Sequence, residues 1–146
     1  MSMTSELYAY FKTKTTITDI FGTSDNCRIY AHVAPSSATF PYAVWNIISA
    51  DHIRHMTAAS GIVETTLQID VSDNDMVGLN AAADAFRVVL DGLDQTTLTA
   101  VTINGTHLAN ERSDVNDILG QEGGTHQRQL DFTIWHTESI PTFPAT

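Results

Sequence analysis

Six histidines and seventeen carboxylates are the side chains best equipped for chemistry, and their spacing gives them little to do together. His52 and His55 stand three apart beside Asp51, so one helical turn would bring them to one side as part of a metal site. A third ligand and an open coordination position are not signalled. The better reading is a solvated loop that touches a neighbouring subunit or partner, with Asp51, His52, Arg54, His55 and Met56 as its contact residues. His107, His126 and His136 are dispersed. Asp73 and Asp75 flank Asn74, and Asp114 and Asp117 form a second close pair; acids so placed ordinarily cap a helix or oppose its dipole. The chain has no phosphate-cradling glycine loop, nucleophile elbow or paired CxxC. No catalytic residue, metal or cofactor is therefore expected. Cys27 is the one cysteine and reads as a buried thiol in a strand, since it has no internal partner for a disulfide.

The elements around these residues follow from periodicity. In 63–71, Val63, Leu67, Ile69 and Val71 alternate with Glu64, Thr66, Gln68 and Asp70, and 127–134 repeats the pattern with Leu130, Phe132 and Ile134 against Gln129, Asp131 and Thr133. Both are half-buried strands whose second face is polar. A short helix is predicted from Thr4 to about Lys12, with Leu7, Tyr8 and Phe11 on one side; Ile17, Ile20 and Phe21 form a small apolar cluster ending in a turn at Gly22. Strands follow around Cys27–Val33 and Tyr42–Ser49, where Pro41 restricts Phe40. The second is apolar enough to be central or covered on both faces. Asp51–Gly61 lacks a pattern and reads as a hairpin connection or projecting arm. A long helix runs from the Asp73–Asp75 cap to Leu90 or Asp91, burying Leu79, Ala83, Phe86, Leu90 and Leu93. Val101–Ile103 and Leu108–Arg112 make one interrupted strand or a hairpin turning at Asn104-Gly105, and the last strand spans Thr125–His136. The expected class is α/β (α+β), a mainly antiparallel four- to five-stranded sheet packed by helices, in the order α-β-β-β-α-β-β.

The 146 residues suit one domain, 1–146. A formal charge of −10 disfavours adhesion to a phosphate backbone, though an acidic wall suits a conduit through which DNA slides. No stretch has the apolar length of a membrane span, and Glu6 sits where a secretory signal would be basic, so a chain assembled inside a cell is expected.

Several pieces in order carry a family resemblance: Arg28-Ile29-Tyr30, Pro35, Phe40-Pro41-Tyr42, Gln68-Ile69-Asp70-Val71, Val88-Val89-Leu90-Asp91-Gly92, Glu111-Arg112 and Arg128-Gln129-Leu130-Asp131-Phe132-Thr133-Ile134-Trp135. From about Leu7 to Trp135 the chain resembles the phage tail-completion family, the tail terminators and tail-to-head joining proteins of long-tailed phages and gene-transfer particles. The resemblance implies a non-enzymatic subunit of a homo-hexameric ring that caps the tail tube protein and docks to head connector proteins. It implies a place at the head-proximal end of the virion tail, assembly in the host cytoplasm, and DNA passing through without sequence-specific binding or any membrane role. With the sheet alternation, it makes Glu64, Gln68, Asp70, Gln129 and Asp131 candidates to face the lumen. A head-side connector or minor baseplate component is the alternative; a small-molecule-binding or enzymatic α/β domain is the reading from another class. The low basic content and the His52, Arg54 and His55 loop depart from the family pattern.

Overall fold

A computed structural model describes residues 3–23, 26–54, 59–91, 93–98, 101–116 and 125–137. Its elements are α1 (Met3–Phe11), α2 (Thr15–Phe21), β1 (Ile29–Ala31), β2 (Tyr42–Arg54), β3 (Ala59–Asp73), α3 (Met76–Asp91), β4 (Thr96–Thr97), β5 (Thr102–Asn116) and β6 (Thr125–Thr137). The six strands form one sheet in the order β1-β2-β3-β6-β5-β4. Every pairing is antiparallel except β1 with β2. The mixed class is as expected, but the sheet has six strands rather than four or five. The additions are short: β4 contributes two residues and α2 seven, lengths at which periodicity carries almost no signal.

The helices cover one face. Leu79, Ala82, Ala83, Phe86 and Leu90 of α3 are fully buried, and they share a core with Leu67 and Ile69 of β3 and Leu130, Phe132 and Ile134 of β6. Phe86 lies 5.5 Å from Phe11 in an edge-on contact and 5.2 Å from Phe21, so one ring on α3 ties α1 and α2 to the same layer. Such aromatic pairs add about 0.5–1.5 kcal/mol beyond their area burial. The Ile17, Ile20 and Phe21 cluster is thus part of a helix rather than only a turn. Gly22 ends it at φ 100, where a Cβ would also press on the Asn26 carbonyl.

Arg28 fastens the next connection. Its Nε donates to the Pro41 carbonyl at 2.9 Å and its Nη2 to the Ile20 carbonyl at 2.7 Å, joining the end of α2 to the start of β2. The Phe40–Pro41 bond is cis. At the other end of the layer, Asp75 Oδ1 accepts the Val77 N–H at 3.4 Å, which bears out the expected acidic cap of α3. Asp73, 6% exposed, lays its carboxylate where a side chain on Gly78 would stand.

The long strands exceed their sequence-based bounds because bulges hide their period. In β2 the register slips between Ile47 and Ser49 and between His52 and Arg54, so the strand continues into the segment expected to be an arm. Nor is β2 covered on both faces: Ile48 is 55% exposed. In β5 the slips fall between Ile103 and Gly105 and between Leu108 and Asn110. Asn104-Gly105 is therefore a bulge inside one strand, and the turn at this end joins β4 to β5 instead. His32, at φ 65, closes β1, which spans three residues, Ile29–Ala31, and so falls two short of the expected Cys27–Val33 at each end.

Candidate functional site

Alternation fixes which side chains leave the core. Opposed residues of neighbouring strands point to the same face, so one row across the sheet reads Val44, Asp70, Gln129, Arg112 and the next open-face row Asn46, Gln68, Asp131, Asn110. Glu64 belongs to the same face, opposite Trp135 and Asp51. Glu64, Gln68, Asp70, Gln129 and Asp131 thus share the surface turned away from the helices, and all five are half-buried.

Polar groups on this face bond to one another. Gln68 Nε2 donates to Asp131 Oδ1 at 3.3 Å, while Arg112 Nη2 donates to Gln129 Oε1. Gln129 also bonds the Asp70 carboxylate, whose Oδ1 is buried without a hydrogen-bond partner among the described residues. Burial pushes the Asp70 carboxyl above the ordinary carboxylate range; the negative Asp131 adds to the rise, and the Gln129 bond and Arg112 oppose it. A depression of about 330 Å³ lies over this patch, lined by Asp70, Arg112, Ser113, Gln127 and Gln129. Its amides and carboxylates can bind water and tolerate a polar surface. It offers no nucleophile paired with a base.

The face is not uniformly polar. Tyr30 and Tyr42 lie on it toward the β1 edge with ring centroids 6.4 Å apart, and Phe40 stacks on Tyr42 at 5.6 Å. The Phe40-Pro41-Tyr42 and Arg28-Ile29-Tyr30 segments carried this ladder in the sequence, but only the parallel β1–β2 register brings the rings together.

The expected contact segment divides. Asp51 and His52 are exposed at the far end of β2, opposite Glu64 and Val63. Arg54 ends the strand, with its side chain outside the description, and His55 and Met56 lie outside the described residues. What the sequence did not single out is the apolar rim beside them: Ile48 is 55%, Ile53 44% and Ile62 36% exposed. Ile48 and Ile53 are the extra residues at the two bulges. The histidines do not converge. His136 is buried with Nε2 2.7 Å from Thr65 Oγ1, His107 is exposed, and no cluster of three metal-ligating side chains occurs among the described residues. Cys27 is buried as expected, though it lies two residues before β1 rather than in a strand, and burial raises its thiol. No helix among the described residues is long and apolar enough to cross a membrane.

Comparison with known proteins gives this surface a context. No curated protein matches the chain. Among solved structures, a chain from the virion of a native gene transfer agent particle is similar at a TM-score of 0.72 and 15% identity, over 94% of this chain and 96% of that one; at that identity the likeness establishes the fold. Residues 5–137 match the family described as Tail completion protein gp17, a span that takes in α2, α3, all but the first two residues of α1 and the six described strands. The chain belongs to the Tail completion protein gp17 family, a family of structural virion tail proteins.

Proposed function

We propose that this chain terminates the tail tube as a homo-hexameric ring and joins the finished tail to the head connector. The open sheet face faces the lumen, with Glu64, Gln68, Asp70, Gln129 and Asp131 on the wall. The observation that carries this reading is the one-sided helix layer over a sheet whose other face is polar and acidic. Asp51, Glu64, Asp70 and Asp131 share that face with Arg112, whose guanidinium is already bonded to Gln129. A wall with so little free positive charge has few contacts to offer phosphates, so DNA passes without being held.

The rim of Ile48, Ile53 and Ile62, together with Asp51, His52, Arg54, His55 and Met56, contacts the neighbouring subunit or the docking partner. Three exposed isoleucines on one hairpin, Ile53 and Ile62 toward its end and Ile48 midway along β2, support that role, because their burial on assembly is favourable at roughly 25 cal/mol per Å² of apolar surface.

Cryo-electron microscopy of particles made with and without the chain tests the proposal. The expected result is a ring at the head-proximal tail end, and unattached heads with tails of faulty length when the chain is missing. Density confined to the distal baseplate, at the head side of the connector, or normal particles without the chain would overturn it.

A further inference from the structure

The two edges of the sheet have complementary outlines. At one edge, β1 covers β2 at Ala43–Trp45 and His32 Nδ1 lies 2.9 Å from Asn46 Oδ1, leaving Ile47 onward without a strand neighbour on that side among the described residues. At the other, β4 covers β5 only at Thr102 and Ile103, leaving Gly105 onward without a strand neighbour among the described residues. The strand rows show where these covers lie. Ala43, Val44 and Trp45 share rows with Ser113, Arg112 and Glu111, whereas Ile103 shares a row with His52. The projecting β1 is therefore level with the gap beside β5, and the projecting β4 is level with the gap beside β2.

We infer that β1 of one copy fills the gap along β5 of the next, so that the sheets of neighbouring copies join edge to edge. The inference rests on the ring reading and supplies its subunit interface. Copies related by a rotation axis along the strands keep the same strand direction and the same inward face. Since β1 runs with β2, and β5 runs opposite to β2 through β3 and β6, β1 meets the neighbour's β5 antiparallel. Antiparallel addition to an open edge satisfies backbone groups that its own sheet leaves unpaired, although on β1 the Ala31 carbonyl already accepts the Val33 N–H at 2.7 Å. The two contact surfaces differ, so the contact is head-to-tail, and it closes into the ring of the proposed function when its rotation is one sixth of a turn.

With copies level, Tyr30 falls opposite the neighbour's Arg112 on the open face, a pairing of guanidinium and aromatic ring. Ala31 falls opposite Glu111 on the other face. The bulges at Ile48 and Ala109 lie in the middle rows, between the two projecting strands; they discourage unlimited pairing there, while β1 and Glu111–Ser113 are free of register slips. Each copy then adds five strand positions, β1 and the neighbour's β4 sharing one, or about 24 Å of wall at ~4.8 Å per strand. Six upright copies enclose a wall about 45 Å across at the backbone, and strand tilt widens it.

Disulfide trapping tests the pairing. Within one copy, four strand spacings, about 19 Å, separate Ala31 from β5, whereas a disulfide needs Cα atoms within roughly 7 Å. Any bond between them is intermolecular. Ala31→Cys is combined in turn with Glu111→Cys, Ser113→Cys, Arg112→Cys and Val88→Cys in the full chain, with native mass spectrometry reporting assembly before mild oxidation. The expected result is a ladder of multimers on non-reducing gels with Glu111→Cys or Ser113→Cys. Arg112→Cys, on the opposite face, and Val88→Cys, 66% exposed on α3, give only the background of the single variants. Multimers that assemble but trap at neither Glu111 nor Ser113 overturn the interface and leave the ring standing. A chain that stays monomeric throughout overturns both.

Discussion

Replacing Phe132 by alanine should unfold the sheet before it alters any surface. Phe132 is fully buried, and its row continues through Leu67 on β3 and Leu108 on β5, with Leu130 and Ile134 on either side along its own strand. These neighbours sit on three hydrogen-bonded strands whose backbones cannot close around a missing ring. The loss is then the transfer energy of the phenyl group plus most of the cavity cost, about 3–5 kcal/mol. Against a typical total of about 5–15 kcal/mol, that is a large share of the stability. At roughly 3 °C per kcal/mol for a chain of this length, the melting midpoint falls by about 10–15 °C. The assay is denaturant unfolding followed by the fluorescence of Trp45 and Trp135, at a concentration where sedimentation shows a monomer, because assembly adds its own stabilisation. Thr133→Ala, one residue along but on the open face, is the comparison and should cost about 1 kcal/mol or less. Equal losses for the two variants would refute the assignment of faces.

Arg28→Ala removes both bonds to the Ile20 and Pro41 carbonyls and should cost about 2–3 kcal/mol in the same assay, with Arg28→Lys recovering part of it by reaching one carbonyl. Asp70→Asn should stabilise the chain increasingly as pH rises from acid to neutral. Because burial raises the folded carboxyl above its ordinary 3.8, the folded chain holds that proton more tightly; the stability this gives is complete below pH 3.8 and is lost as pH rises through the folded value. Unfolding midpoints of the two proteins measured across that range should diverge upward, and parallel curves would count against a buried Asp70. Gly78→Ala should destabilise α3 although alanine is the better helix former by about 1 kcal/mol, since its Cβ would overlap the Asp73 carboxylate. Combining it with Asp73→Ala should recover more than additivity allows, which a double-mutant cycle measures directly.

Where one face of an element is buried and its period is unbroken, the amino-acid sequence by itself determined the outcome. The stripe Leu79, Ala83, Phe86, Leu90 and the alternation Leu130, Phe132, Ile134 name the core of α3 and β6, because a residue on the wrong face would expose apolar surface. The shared polar face of Glu64, Gln68, Asp70, Gln129 and Asp131 follows from the same alternation once β3 and β6 are paired in register. Only the tertiary structure decided the rest. The bulges at Ile48, Ile53, Asn104 and Ala109 each insert one residue, so the period-two signal reverses at that point and the strand looks like a loop or turn. The parallel β1–β2 pair, the Tyr30–Tyr42 contact and the Arg28 bond to Pro41 join residues twelve to fourteen apart across a loop, and local periodicity carries no record of such contacts. The charge network of Asp70, Gln129 and Arg112 depends on three strands meeting in one row. Its energetics, above all the raised Asp70 carboxyl, come from burial, which exists only after the sheet has formed.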